Sequence, residues 1–227
     1  MTAIAKQQSS NSLGLSPASL SALEAVSLTT NYPTGATLFM EGQSASGIFI
    51  IRRGRVKLSV SAADGKVLIL RIAEADEIMG IAAVVLGIPF EASAEMLDPS
   101  EVTFIRSSDL LRLMRRDGEL TLWIAQRLSF DYDATCREIR NLMLSESAGE
   151  RLARLLVERL DRDGDPTHSG RLKLMLTHEE IGQMIGTSRE TVTRLFAGLK
   201  KRKLIQQNGS TVVIPNREAL MSMIQAN

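Results

Sequence analysis

Apolar residues recur along this chain with two different periods. From about residue 28 to 107 they come as short runs: Leu38-Phe39, Ile48-Phe-Ile-Ile51, Val56-Lys-Leu-Ser-Val60 and Val67-Leu-Ile-Leu-Arg-Ile72. Gly35, Gly42, Gly47, Gly54 and Gly65 punctuate them. Short runs bounded by turn formers predict strands, and Asp64-Gly65 marks the clearest hairpin. Regularly spaced short strands predict an all-β barrel or roll. Beyond residue 107 the period lengthens. Residues 109–143 contain no proline and one glycine, Gly118, near the start. Ile124, Leu128, Tyr132, Thr135, Ile139 and Leu142 follow at spacings of 4, 4, 3, 4 and 3, an apolar seam of coiled-coil-like period. Such a stripe suits either of two uses: packing on its own barrel, or on a second copy of the chain.

The helical period is sharpest in residues 177–199. Ile181, Met184, Ile185, Val192, Leu195, Phe196 and Leu199 recur at three and four residues and predict the buried side of two short helices. Gly186 sits where the chain must turn between them. Thr177 and Glu180 have capping-box spacing, as do Thr187 and Glu190. The second helix then exposes Ser188, Arg189, Glu190, Thr193 and Arg194. This is the pattern of a helix-turn-helix. A major groove admits one α-helix, with its N-terminal residues at base edges. Arginine donates twice to guanine and glutamate accepts from cytosine, so Arg189, Glu190 and Arg194 are candidate base readers. Ser188 and Thr191 are short hydroxyl donors suited to phosphate. The rival reading of Glu190 is a carboxylate occupied in capping.

Two strand-like runs follow, Leu204-Ile-Gln-Gln and Thr211-Val-Val-Ile214. Asn208-Gly209 between them signals a type I′ hairpin, hence a wing. Lys200, Lys201, Arg202 and Lys203 precede the hairpin, either against phosphates or as a solvated helix end. Charge agrees with a nucleic-acid surface. The net charge of +1 hides +5 over residues 171–227 and −4 over the rest. Double-stranded DNA is the expected partner. No nucleophile elbow, P-loop or paired catalytic carboxylate motif is visible, so an enzyme is not expected.

The stretch Glu180-Ile-Gly-Gln-Met-Ile-Gly-Thr-Ser-Arg-Glu-Thr-Val-Thr-Arg-Leu195 closely resembles the DNA-binding signature of the Crp/Fnr family of bacterial transcription regulators. The pattern Pro33-x-Gly35…Leu38…Glu41-Gly42…Phe49-x-Ile51-x-x-Gly54-x-Val56-x-Leu58…Gly65 resembles that family's cyclic-nucleotide-binding β-roll. The resemblance covers nearly the whole chain, in the family's domain order. It implies Arg189 and Arg194 on guanines and Glu190 on a cytosine of a TGTGA-like half-site. Thr193 stands at a position that tunes the preferred sequence, and His178, Ser188 and Thr191 at phosphate-contacting positions. It also implies a homodimer on a palindrome, joined along the 109–145 helix, and RNA polymerase as a partner near the loop Asp163–Gly170.

The effector pocket is where the chain departs from the pattern. Members that bind cyclic AMP carry Gly-Glu-Leu and, some ten residues on, Arg-Ser, for the ribose and the cyclic phosphate. Here the segment reads Gly80-Ile81-Ala82-Ala83, then Glu91-Ala92-Ser93. Neither possible register supplies a cation, so cyclic AMP and cyclic GMP are not expected to bind in the family's usual way. Residues 81–86 predict an apolar pocket, with Arg71 either inside it or solvated at a strand end. Thr135 and Cys136 match positions that reach the ligand from the long helix. An unidentified small-molecule effector, acidic or apolar, and an empty pocket both remain open. The only cysteine is Cys136 and the only histidines are His168 and His178. A four-cysteine iron–sulfur cluster is therefore excluded, and no metal-ligand spacing exists.

These readings combine into an α+β chain. Its expected parts are a mobile arm over 1–16, a cyclic-nucleotide-binding-like β-roll over 17–108, a long dimerisation helix and hinge over 109–145, and a winged helix-turn-helix over 146–227. Without an apolar leader or span, a cytoplasmic protein with no membrane partner is expected. The alternative function is a ligand sensor that acts through protein partners rather than DNA.

Overall fold

The computed structural model describes the backbone of residues 14–144, 147–163 and 170–225, and the side chains of 14–136, 147–162 and 170–222. The chain divides into two compact units, one ending at Asp133 and the other beginning at Ala134. Residues 1–13 of the expected arm lie outside the described residues. Leu15 is buried in the first unit and Ser16 caps its first helix, so the end of that segment belongs to the fold.

The first unit opens with α1 (Pro17–Glu24) and continues through β1 (Ser27–Tyr32), β2 (Thr37–Phe39), β3 (Gly47–Arg53), β4 (Val56–Ser61), β5 (Val67–Ala73) and β6 (Ile78–Met79). After these come α2 (Ile81–Leu86), β7 (Ser93–Met96), β8 (Ser100–Arg106), α3 (Ser107–Met114) and α4 (Gly118–Leu144). The strands form two antiparallel four-stranded sheets, ordered β1-β8-β3-β6 and β2-β7-β4-β5. The unbroken run Ile48–Ile51 is explained by burial of β3 on both faces. Ile48 and Ile50 face a cluster with Leu23, Leu110, Leu120, Trp123 and Ile124 of α1, α3 and α4. Phe49 and Ile51 face a second cluster with Phe39, Val56, Leu58 and Phe90. The hairpin at Asp64-Gly65 forms, with Ser61 paired to Val67.

The apolar stretch over 109–143 is not one helix. It breaks at 115–117 into α3 and α4, because Asp117 caps α4: its Oδ1 accepts from the Leu120 N–H at 3.0 Å. Asp117 and Glu119 also accept from α1 and its cap. Ser19 Oγ lies 2.6 Å from Asp117 and 2.8 Å from Glu119 and shares its one proton between them, while Ser16 donates to Glu119 both its hydroxyl and, at 2.7 Å, its N–H. The Ser19 hydroxyl holds the Asp117 carboxyl below the usual carboxylate range, and the Ser16 hydroxyl, followed by that of Ser19, does the same for Glu119.

The second unit contains α5 (Ala148–Asp163), β9 (Arg171–Lys173), α6 (His178–Ile185), α7 (Arg189–Lys201), β10 (Gln206–Asn208), β11 (Thr211–Val213) and α8 (Arg217–Gln225). α5 begins at a reciprocal cap. The Glu150 N–H donates to Ser147 Oγ at 3.2 Å, and the Ser147 N–H donates to Glu150 Oε2 at 3.3 Å. One core joins Leu152, Leu156, Leu172, Ile181, Val192, Phe196, Val212 and Leu220. The wing sheet runs β10-β11-β9. Its hairpin differs from the type I′ expectation, because Asn208 pairs with Thr211 and the two loop residues are Gly209 and Ser210. Of those two only Gly209 has positive φ (57°), the sign pattern of a type II′ turn with glycine first. Leu204 and Ile205 precede the strand rather than join it; Ile205 goes to the core.

Among the described residues no helix is long and apolar enough to cross a membrane.

Candidate nucleic-acid interface and effector site

The helix pair α6–α7 is fixed by three devices. Thr177 and Glu180 form the expected capping box: the Glu180 N–H donates to Thr177 Oγ1 at 3.1 Å, and the Thr177 N–H to Glu180 Oε2 at 2.7 Å. Gly186 ends α6 in the left-handed region at φ 64°. Gly182 is a third device that the sequence pattern did not single out. A Cβ there would stand 2.7 Å from the Thr187 carbonyl oxygen, so only glycine lets the turn fold back on α6. Outside the pair, the Arg151 Nε–H of α5 donates to the Ile185 carbonyl at 2.7 Å, closing the end of α6.

The second expected box, Thr187 with Glu190, does not form. Ser188 is the N-cap of α7, accepting from the Thr191 N–H at 3.3 Å. The Glu190 carboxylate turns to its own backbone N–H and the Ser188 hydroxyl, which hold it below the usual carboxylate range. Ser188, Arg189, Glu190, Thr193 and Arg194 are all exposed, as are Lys200 and Lys201 in the last turn of α7. Thr191 is half-buried, with Arg194 Nη2 at 3.4 Å from its Oγ1. His178 is also half-buried. Its ring stacks on Phe196 with centroids 4.9 Å apart, and its Nδ1 lies 2.9 Å from Thr193 Oγ1. Burial, followed by the charges of Lys200 and Arg189, lowers its pKa from the ordinary histidine value. The predicted base readers therefore share one exposed helix start, with a basic helix end on the same element.

Within the first unit, the predicted effector residues Arg71, Gly80, Ile81, Ala82, Glu91, Ala92 and Ser93 differ in burial and in partners. Arg71 lies opposite Leu58 in the β4–β5 ladder, ion-paired with Glu77 and 3.4 Å from the Ile78 carbonyl. Gly80 precedes α2 in the left-handed region. Because a helix turns about 100° per residue, the run 81–86 cannot all face one pocket. Ile81 and Val84 join the cluster beneath α1, α3 and α4, and Ala83 joins the inter-sheet cluster. Ala82 is half-buried, and Val85 and Leu86 are exposed. Glu91 is exposed rather than buried, Ala92 is buried, and Ser93 accepts from the Glu41 N–H at 3.0 Å. Between the sheets, Phe39 stacks on Phe90 at 4.1 Å and on Phe49 at 5.3 Å. Sequence reasoning missed this group, although Phe39, Phe49, Phe90 and Phe104 are four of only six phenylalanines. Thr135 is exposed and Cys136 half-buried, both in the second unit.

The predicted dimer seam needs correction at its start. Ile124 is 1 % exposed inside its own unit's core, and Leu128 packs against that core. Among the described residues, the exposed large apolar side chains of α4 are Leu122 (60 %), Phe130 (66 %) and Tyr132 (73 %). Of the predicted stripe, Ile124 and Leu128 turn inward, whereas Tyr132 and Thr135 are exposed. The Ile139 and Leu142 side chains, and residues 164–169 of the predicted polymerase-facing loop, lie outside the described residues.

A two-sheet roll, a long helix and a winged helix-turn-helix define a DNA-binding transcription regulator, and comparison with known proteins agrees. The profile of the Crp-like helix-turn-helix domain matches residues 150–223, and that of the cyclic nucleotide-binding domain matches residues 29–117. The cAMP-activated global transcriptional regulator CRP of Haemophilus influenzae is 29 % identical over 184 residues, 81 % of this chain and 82 % of that protein. The CRP-like cAMP-activated global transcriptional regulator of Mycobacterium tuberculosis is 29 % identical over 219 residues, covering 91 % and 92 %. In fold the chain is similar to FixK2 from Bradyrhizobium japonicum, with TM-score 0.77, 20 % identity, and 87 % and 96 % coverage. It is also similar to the c-di-GMP responsive regulator CLP of Xanthomonas campestris, with TM-score 0.76, 22 % identity, and 88 % and 99 % coverage. The chain belongs to the Crp/Fnr family of DNA-binding transcription regulators.

Proposed function

We propose that this regulator acts as a homodimer that reads a TGTGA-like palindrome without cyclic AMP as its signal. The observation that carries the DNA reading is the joint exposure of Arg189, Glu190 and Arg194 on the first turns of α7. Arg189 and Arg194 donate to guanines, and Glu190 accepts from cytosine N4 once DNA draws it away from Ser188. Lys200, Lys201 and the Ser188–Thr191 turn supply phosphate contacts. Two half-sites about one helical turn apart call for two-fold symmetry. Leu122 and Phe130 lie about 80° apart around α4 and are both exposed, so they share a face that a second copy would cover.

Three observations support independence from cyclic AMP, although the Haemophilus influenzae and Mycobacterium tuberculosis regulators are named for activation by it. The chain has no cation at 91–93, Arg71 is engaged by Glu77, and Phe39, Phe49 and Phe90 occupy the space between the sheets. The effector is then a different small molecule, or the protein is active without one. RNA polymerase is the proposed downstream partner.

The test is selection of binding sites from a random duplex pool by the full chain without nucleotide. A recovered palindrome with TGTGA-like halves supports the reading. Equal retention of all sequences contradicts it and favours a sensor acting through proteins. Phe130→Glu checks the dimer: sedimentation should show loss of dimer with an unchanged circular dichroism spectrum.

A further inference from the structure

Thr193 occupies an exposed position on the recognition helix, yet its hydroxyl is already committed on both sides. Thr193 Oγ1 lies 3.0 Å from the Arg189 carbonyl oxygen and 2.9 Å from His178 Nδ1. A hydroxyl carries one proton, and a carbonyl can only accept. The Thr193 proton therefore goes to Arg189, and His178 must donate its Nδ1–H to Thr193. The imidazole is held for this task by its stack on Phe196, which is buried in the unit's core. The first residue of α6 is thereby tied to the second turn of α7, in the interval between Arg189 and Arg194.

We propose that His178 is a positioning residue for sequence discrimination. Through its hydrogen bond to Thr193 it fixes the rotation of the recognition helix about its axis, and it withholds the Thr193 hydroxyl from the bases. This deepens the proposed DNA reading and rests on it. The proposal separates His178 from a phosphate ligand. A phosphate contact acts on every DNA sequence alike, whereas a strut that aims base readers acts on the difference between sequences. It also makes the His178–Thr193 pair one unit, so that breaking it from either side has the same effect.

The experiment uses the full chain and a duplex recovered by site selection, with a scrambled duplex of equal length as reference. Three variants are compared. His178→Phe retains a ring to stack on Phe196 without a donor, Thr193→Val removes the acceptor at nearly constant volume, and the third combines both. Each single variant should lower the specific-to-scrambled affinity ratio about 3- to 10-fold, the scale of one hydrogen bond. The double variant should be no worse than either single, because the second change finds nothing left to break. His178→Gln, which restores an N–H donor, should recover part of the ratio. Equal weakening on both duplexes by His178→Phe would overturn the proposal in favour of a phosphate contact, and so would additive losses in the double variant. If the wild-type chain recovers no site at all, the DNA reading fails and the proposal falls with it; a recovered site with an unchanged ratio in the variants overturns the strut alone.

Discussion

In the helix-turn-helix, polar groups are held at the surface by other polar groups: Thr177 by Glu180, Thr191 by Ser188, His178 by Thr193. The apolar side chains of the same helices, Ile181, Val192 and Phe196, all turn inward. In the β-roll the arrangement is reversed. Phe39, Phe49 and Phe90 fill the space between the sheets, and the one cation on the β5 face, Arg71, is held by Glu77. The helix pair exposes polar and cationic groups, whereas the interior of the roll is lined with aromatic ones.

The contrast breaks most severely where packing has no slack. Gly182→Val should destabilise the second unit by about 2–4 kcal/mol, because the added atoms meet backbone rather than a movable side chain. Ile124→Ala should cost the first unit about as much, roughly 2–4 kcal/mol, by leaving a cavity in its core. Thermal unfolding of the full chain reads both, and the change at Ile124 should leave the recovered DNA sequence unaltered. Next in size, Arg189→Ala and Arg194→Ala should each lose about 1–3 kcal/mol of discrimination between the selected and the scrambled duplex. Competition binding measures this with the fold intact.

Smaller effects sharpen the input side. Glu77→Gln removes the partner of a half-exposed arginine and should change stability by less than about 1 kcal/mol. If a freed Arg71 were all the roll lacked, this variant would acquire cyclic-AMP affinity by calorimetry; none is expected. The smallest effect is acid release of α1. Asp117 and Glu119 ionise more readily in the folded protein than in the unfolded chain. Their contribution is therefore present above the ordinary carboxylate range, about pH 4, and is lost as pH falls through their depressed folded values. Amide exchange of α1 should accelerate there ahead of β3.

The buried face of the helix-turn-helix was legible in the sequence almost residue by residue, because a short amphipathic helix pair writes it at intervals of three and four. Gly182 escaped, since a close backbone approach leaves no periodic mark. The II′ turn at Gly209 escaped because Asn208-Gly209 suits either of two registers. The effector site was less legible. An apolar run such as 81–86 reads as one wall only if it is extended, and in a helix it divides between two cores. The long helix misled for a related reason. Ile124 and Leu128 form a true stripe, but spacing cannot say which of a helix's two apolar sides meets its own domain. The break at Asp117 was visible in principle, as an aspartate before a glycine in an otherwise unbroken helical pattern.

The most direct test is fluorescence anisotropy of the selected duplex titrated with the full chain, with and without saturating cyclic AMP. The account predicts tight, salt-dependent binding that exceeds binding to scrambled DNA and is unchanged by the nucleotide. Specific binding that emerges only when cyclic AMP is added would contradict it.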